Sequence, residues 1–282
     1  MKVWYLYHSG YAVETDECLL VFDYWKDTPV GHERGLENGV FDPAHWLTKA
    51  VDKSVDGSIT PVIVFSSHKH GDHFNPDILL WQNTIPTIRY VLSQDIPKRH
   101  FNLLAKEYIQ EAGNPDNTSN NARIMRMKPD QTFSWPELNM LVHSFKSTDA
   151  GVAFWVEVNE KVIFHAGDLN LWFWNGESKS WNNNMKARYQ KEIEKIELYA
   201  KQTTKTPDIA FLPIDPRLEN HWLEGYVQFM EQVNAKHTFP MHFGDAFPVL
   251  ENIKDDLRGK SPEFRTKMHL PTQRGNMFEI EV

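Results

Sequence analysis

Val62-Ile63-Val64-Phe65-Ser66-Ser67-His68-Lys69-His70-Gly71-Asp72-His73-Phe74-Asn75-Pro76 is the stretch on which the reading turns. Its first part is a continuous apolar run, the pattern of a fully buried strand. Asn75 followed by Pro76 is an N-cap and first-turn pair that opens a helix. The segment between them is therefore a strand-to-helix loop, where functional groups collect. Alternate residues of an extended segment point one way, so His68 and His70 can grip one cation, and the turn at Gly71 swings Asp72 and His73 toward a second. A polar surface loop would account for one histidine there, whereas four ligand-type residues within six positions point to metal chemistry.

Outward from this loop, apolar runs bounded by turn residues predict strands near 2–7, 11–14, 18–23 and 61–66, with a short helix from Pro43. A short helix from Pro76, a strand near 88–92 and an amphipathic helix from Pro97 to Glu111 come next. Gly113 to Asn121 is small and polar and reads as an exposed loop. Strands near 123–127, 131–135, 138–145, 151–158 and 161–166 are separated only by turns, which predicts one largely antiparallel sheet. Tyr189, Ile193, Ile196 and Ala200, then Trp222, Tyr226, Phe229, Met230 and Val233, each mark one apolar helix face. Strands near 209–213, 237–241 and 276–281 alternate with these helices. No linker or fixed repeat interrupts the chain, so a single domain over 1–282 is expected: an α/β (α+β) fold of two mixed sheets packed face to face with helices outside, a four-layer αββα sandwich.

The chain has 282 residues, 41% of them hydrophobic and 13% aromatic, enough to fill a core. Its net charge of −8 disfavours a nucleic-acid partner. No apolar stretch approaches the roughly 18 residues of a membrane span, and Met1-Lys2-Val3-Trp4-Tyr5 reads as the start of a strand, so a cytoplasmic protein is expected. Its single cysteine, Cys18, excludes a multi-cysteine metal site and reads as a buried apolar residue, so any metal must be held by nitrogen and oxygen.

His-x-His-x-Asp-His after a buried strand resembles the signature of the metallo-β-lactamase superfamily, and within it the branch of metal-dependent hydrolases that includes L-ascorbate-6-phosphate lactonase. Tyr7-His8-Ser9-Gly10, Val21-Phe22-Asp23, Met140-Leu141-Val142-His143, Phe164-His165-Ala166-Gly167-Asp168 and Phe239-Pro240-Met241-His242-Phe243-Gly244 match further positions of that pattern. The resemblance implies that His68, His70 and His143 hold one metal, that Asp72, His73 and His242 hold a second, and that Asp168 bridges them. Zn²⁺ is the first expectation, with Mn²⁺ or Fe²⁺ as alternatives, because His/Asp sets suit several cations. Asp23 and His8 would support the ligands from behind, with His165 and His237 structural. Leu169-Asn170 after the Gly-Asp pair departs from the threonine or serine of many relatives. The aromatic run Leu171-Trp172-Phe173-Trp174, with Trp181 beyond it, is also outside the signature, and reads equally as a wall over a substrate or as core packing.

Two cations carry a charge that Asp72, Asp168 and one hydroxide offset to about +1, a site that draws an anionic or polarised small molecule. A metal-activated hydroxide would then attack an ester, lactone or phosphodiester, with Asp72 orienting it and Asp168 holding the metals. Arg217 and His221, together with Trp172 and Trp174, are the candidate substrate contacts, and Asp215 lies in the same segment. Two rivals stand beside hydrolysis: a di-iron oxidoreductase on the same fold, and a non-catalytic sensor that keeps the metal as a staple. Association into a homo-oligomer is left open by the sequence.

Overall fold

The computed structural model describes residues 1–53, 60–101, 109–112, 123–257 and 262–282. The chain divides into two compact units, Met1–Lys128 with Pro271–Val282, and Pro129–Leu270. Each is built on one sheet, so the whole is a mixed α/β fold of two sheets and helices, as the sequence predicts.

The first unit contains β1 (Lys2–Tyr7), β2 (Gly10–Glu14), β3 (Leu19–Phe22), β4 (Val62–Ser66), β5 (Arg89–Ser93), β6 (Ile109–Glu111), β7 (Ile124–Met127) and a C-terminal strand, Met277–Glu279. They form an eight-stranded sheet in the order C-terminal strand, β1, β2, β3, β4, β5, β7, β6. The tight turns between β1, β2 and β3 make those pairs antiparallel. From β3 onward the order is parallel, with Leu19 opposite Val62 and Phe22 opposite Phe65. All five residues of β4 are buried, as expected of a strand covered on both faces. Helix α1 (Pro43–Lys53) sends Trp46 into a core with Phe41, Trp81, Val62, Val64 and Leu92. The helix from Pro76 is a 3₁₀ helix, Pro76–Asn83, capped as the sequence predicts by the Asn75 side chain on Asp77 N.

Two expectations for this unit fail. The segment from Pro97 to Glu111 is not one amphipathic helix: Lys98–Phe101 is a 3₁₀ turn and 109–111 is β6, while 102–108 lie outside the described residues. The edge strand wins because Glu111 accepts from Arg126 and Gln94 across a ladder with β7. The strand near 123–127 likewise joins this sheet, parallel to β5, and not the antiparallel one. Arg126, only 2% exposed, donates from its two Nη atoms to Gln94 O, Ile96 O and Glu111, a tie that strand patterning does not reveal. The predicted loop at Gly113 to Asn121 lies outside the described residues.

The second unit contains β8 (Gln131–Trp135), β9 (Met140–Lys146), β10 (Val152–Val158), β11 (Lys161–His165), β12 (Ile209–Pro213) and β13 (His237–Met241). The strands β8 to β11 are antiparallel neighbours, and β11, β12 and β13 run parallel. Parallel neighbours need crossovers. Helix α2 (Lys179–Thr203), N-capped by Ser178, and helix α3 (Glu224–Gln232) supply them. On α2 the buried residues Met185, Tyr189, Ile193 and Ile196 follow the helical period, and on α3 Phe229 stacks on Phe164 of β11 at 5.0 Å. Among the described residues no helix is long and apolar enough to cross a membrane.

Arg274, 7% exposed, is a cross-tie of the first unit: it donates to Leu6 O (2.7 Å), Thr28 O (2.8 Å), Gly39 O (2.9 Å) and Lys26 O (3.4 Å). Replacing it leaves buried carbonyls without their charged donor, so Arg274→Leu is expected to cost about 2–4 kcal/mol, read as a lower urea midpoint at unchanged slope. A slope change, or no loss, contradicts this role. Burial pushes the Cys18 thiol up to about 11, so it stays neutral at ordinary pH. A disulfide reagent at pH 8 should therefore leave the folded protein unlabelled and label it fully in urea; rapid labelling of folded protein would show the strand is open there.

Candidate metal-binding residues

In the first unit the candidate side chains stand at the carboxyl ends of the adjacent parallel strands β3 and β4, the usual position for sites in open α/β sheets. Asp23 follows β3 and is fully buried. Its Oδ1 accepts from Ser67 N (2.7 Å), and its Oδ2 meets Ser67 Oγ (2.7 Å) and His73 Nδ1 (2.8 Å). An ionised carboxylate only accepts, so Ser67 must donate its hydroxyl proton to Asp23 and His73 must carry its proton on Nδ1. Ser67 Oγ also lies 3.0 Å from His68 Nδ1. Its one proton being committed, the hydroxyl oxygen accepts there, and His68 is likewise an Nδ1–H tautomer. One carboxylate thus turns the Nε2 lone pairs of both His68 and His73 outward as donors for a cation.

His68 Nε2 faces His70 Nδ1 at 3.0 Å. That is close to the roughly 3.3 Å edge of a tetrahedron with ~2.0 Å metal–nitrogen bonds, so the pair fits a shared cation. Ligand atoms of His8, Asp72 and His73 lie within 4.8 Å of one another. The Asp72 carboxyl is held well below the usual range, first by its hydrogen bond to His8, with the His73 ring assisting against partial burial. His8 therefore stands among the ligand-type atoms themselves, beside Asp72 Oδ2 at 3.5 Å and against the His73 ring at 5.6 Å.

The second unit repeats the device at the ends of β11, β12 and β13. Asp168 ends the turn after β11, where Gly167 takes φ 56°, a left-handed value that glycine adopts without strain. Gly167 N donates to His165 Nδ1 at 3.1 Å, so the buried His165 shapes this turn. Thr148 Oγ1 donates at Asp168 O (3.2 Å) or Asn170 O (2.6 Å) and accepts from Asn170 N (3.0 Å), so the turn is fastened through the backbone of residue 170. His242 follows β13, 6% exposed, with Nδ1 on Asp215 Oδ2 at 2.9 Å and Nε2 toward Asp168 Oδ1 at 3.5 Å. Burial pushes the Asp215 carboxyl up, but the bonds from His242 and Arg217 outweigh it and hold the group well below the usual range. Asp215 is thus the orienting carboxylate of His242, as Asp23 is of His73. Sequence reasoning placed it only among substrate-loop residues; its signal was its position after a strand parallel to the one that precedes His242.

His143 does not join Asp168 and His242. Strand alternation puts it with Phe145 on the face of β9 that α2 covers, where its ring stacks on Tyr199 at 4.3 Å and its Nδ1 meets Thr132 Oγ1 at 2.6 Å. Burial there pushes its pKa down. Among the described residues the histidine and acid groups with ligand spacing omit it. His221 is also engaged elsewhere, with Glu224 Oε1 at 2.6 Å, Asn175 Oδ1 at 3.1 Å and the Phe173 ring at 4.0 Å. Trp172 is fixed beside Asp168 and His242, its Nε1–H on Asp168 O (3.0 Å) and its ring against His242 at 5.1 Å, while Trp174 and the exposed Arg217 lie beyond it.

No protein-family model matches the chain, and no curated protein sequence matches it. Solved structures do. Igni18, a metallo hydrolase from the archaeon Ignicoccus hospitalis, superposes with a TM-score of 0.60 at 16% identity, over 99% of each chain. YhfI from Bacillus subtilis, a metallo-β-lactamase fold protein, gives 0.49 at 13% identity over 98% of each. A variant of CmlA, a diiron β-hydroxylase from Streptomyces venezuelae, gives 0.51 at 9% identity, over 99% of this chain and 54% of that one. The chain has the same mixed α/β fold, two sheets with helices, as Igni18 and the CmlA variant.

If Asp23 sets both tautomers, Asp23→Ala should lower divalent-metal affinity by about 10–100-fold in a chelator-competition titration, whereas His143→Gln should leave it unchanged. Equal losses would return His143 to the ligand set.

Proposed function

We propose that this chain is a metal-dependent hydrolase of small esters, lactones or phosphodiesters, in the superfamily branch that includes L-ascorbate-6-phosphate lactonase. Its metal donors would come from two groups: His68, His70, Asp72 and His73, with His8 beside them, and Asp168 with His242. The observation that carries the reading is the twice-used carboxylate–imidazole pair, Asp23–His73 and Asp215–His242. A buried carboxylate on Nδ1 is the usual partner of a metal-ligating histidine, because it fixes the ring and strengthens the Nε2 donor. The donor set is all imidazole nitrogen and carboxylate oxygen, which fits zinc first and manganese or iron next. A divalent ion held by such donors would acidify a water and polarise the scissile group.

The chain's own residues supply the rest. Asp72, kept anionic by His8, is too weak a base to take a proton outright near neutral pH, but as a permanent acceptor it orients the attacking water. In the second unit Trp172, bonded to Asp168 O, limits water around His242. Fold likeness alone does not choose between hydrolysis and oxygen chemistry, since both occur on this fold. The preference for hydrolysis rests on the second histidine of His68-x-His70, a position at which the superfamily resemblance implies glutamate for oxygen-using members.

Chelator-treated protein should lose turnover on a lactone, ester and phosphodiester panel and regain it with Zn²⁺ or Mn²⁺. His70→Ala and Asp168→Ala should each lower kcat/KM at least about 10²-fold. Unchanged turnover in both variants, or copurified iron with oxygen consumption, overturns the hydrolase reading.

A further inference from the structure

Four side chains of the second unit, Asp215, Arg217, Trp172 and Trp174, form an arrangement that metal binding alone does not require. Arg217 is held by Asp215, with Nε at 3.0 and 2.9 Å from the two carboxylate oxygens and Nη2 on Oδ2. The Asp215 side chain is 1% exposed, yet that of Arg217 is 65% exposed. A buried carboxylate thus fastens one edge of the guanidinium and presents the rest to solvent in a fixed orientation, which removes much of the entropy an arginine loses on binding. The same Asp215 oxygen takes His242 Nδ1, so the cation stands beside the imidazole, Nη2 being 3.5 Å from that nitrogen. The guanidinium carbon is 5.9 Å from the Trp174 ring centre. Trp174 lies parallel to Trp172, 6° between planes at 6.3 Å, and Trp172 abuts His242.

We propose that Arg217 and Trp174 select the substrate: the guanidinium takes an oxyanion, carboxylate or phosphate, and the indole takes the planar or apolar group that carries it. Deepening the hydrolase reading and resting on it, this names the substrate class as an acidic ester, lactone or phosphodiester whose anionic group is separate from the bond cleaved. A surface arginine with no such duty would be free to rotate. Here it is fixed by the carboxylate that also orients His242, so its place is set by the donor group itself. Asp215 is a positioning residue for both.

The test is calorimetric binding to the zinc-loaded protein of three probes of similar size: benzoate, phenyl phosphate and neutral benzamide. The anions should bind at least ~10-fold more tightly than benzamide, as a charge-assisted contact of about 1.5–3 kcal/mol implies. Arg217→Gln should abolish that preference at unchanged zinc content, Arg217→Lys should keep part of it, and Trp174→Leu should weaken all three probes alike. Tighter binding of phenyl phosphate than of benzoate would assign the anion as phosphate, and the reverse as carboxylate. An anion preference that survives Arg217→Gln, or none in the parent protein, overturns the proposal. Failure of every hydrolytic assay with the preference intact would instead sink the hydrolase reading and leave this recognition site standing.

Discussion

The buried Asp23 carboxylate is the constraint on which the donor loop depends. It sits where β3 ends and accepts from three groups of the loop after β4: a backbone N–H, a hydroxyl and an imidazole. Each bond is charge-assisted and has little competing water, which makes it strong and makes the loss of any partner costly. Because the acceptor cannot donate, the direction of every proton in the network is dictated, and the Nε2 atoms of His68 and His73 are left as lone pairs. Chemistry at the loop's surface is thus decided by a residue more than forty positions earlier in the chain.

The second unit reaches the same arrangement with Asp215 and His242, on strands of the same parallel handedness. Parallel strands present their carboxyl ends side by side, so residues just past β11, β12 and β13 are neighbours despite wide separation in sequence. The backbone is bent to make this work: Asp23, His8 and His242 have φ of 42°, 57° and 69°. Left-handed conformations cost such residues of order 1–3 kcal/mol each and persist where surrounding bonds over-determine them. Three such positions fall among the candidate donors and their orienting groups, while the other non-glycine residues with positive φ lie elsewhere.

Much of this was legible in the sequence, for reasons that can be traced to residues. The apolar run Val62–Phe65, the four ligand-type residues after it and the Asn75-Pro76 cap are local signals, and local signals survive folding. Asp23 was legible as a support for the same loop because it ends a strand of similar character. The structure departs where a side chain's role is set by a neighbour distant in sequence. His143 ends an apolar run as a ligand might, but whether it faces α2 or the strand ends depends on register, and Tyr199 holds it on the helix side. Residues 109–111 fit a helical period, yet Glu111 is drawn into a strand by Arg126. Asp215 reads from sequence only as part of a substrate loop, because its role as partner of His242 depends on β12 and β13 being neighbours.

The most direct test of the central claim, that buried carboxylates set the histidine tautomers for metal binding, is long-range ¹H–¹⁵N NMR of histidine-labelled protein with and without Cd²⁺. The account predicts that His68, His73 and His242 carry Nδ1–H before metal is added and that their Nε2 resonances alone shift on loading. Nε2–H tautomers at His68 and His73, or Nε2 resonances indifferent to the metal, would contradict it.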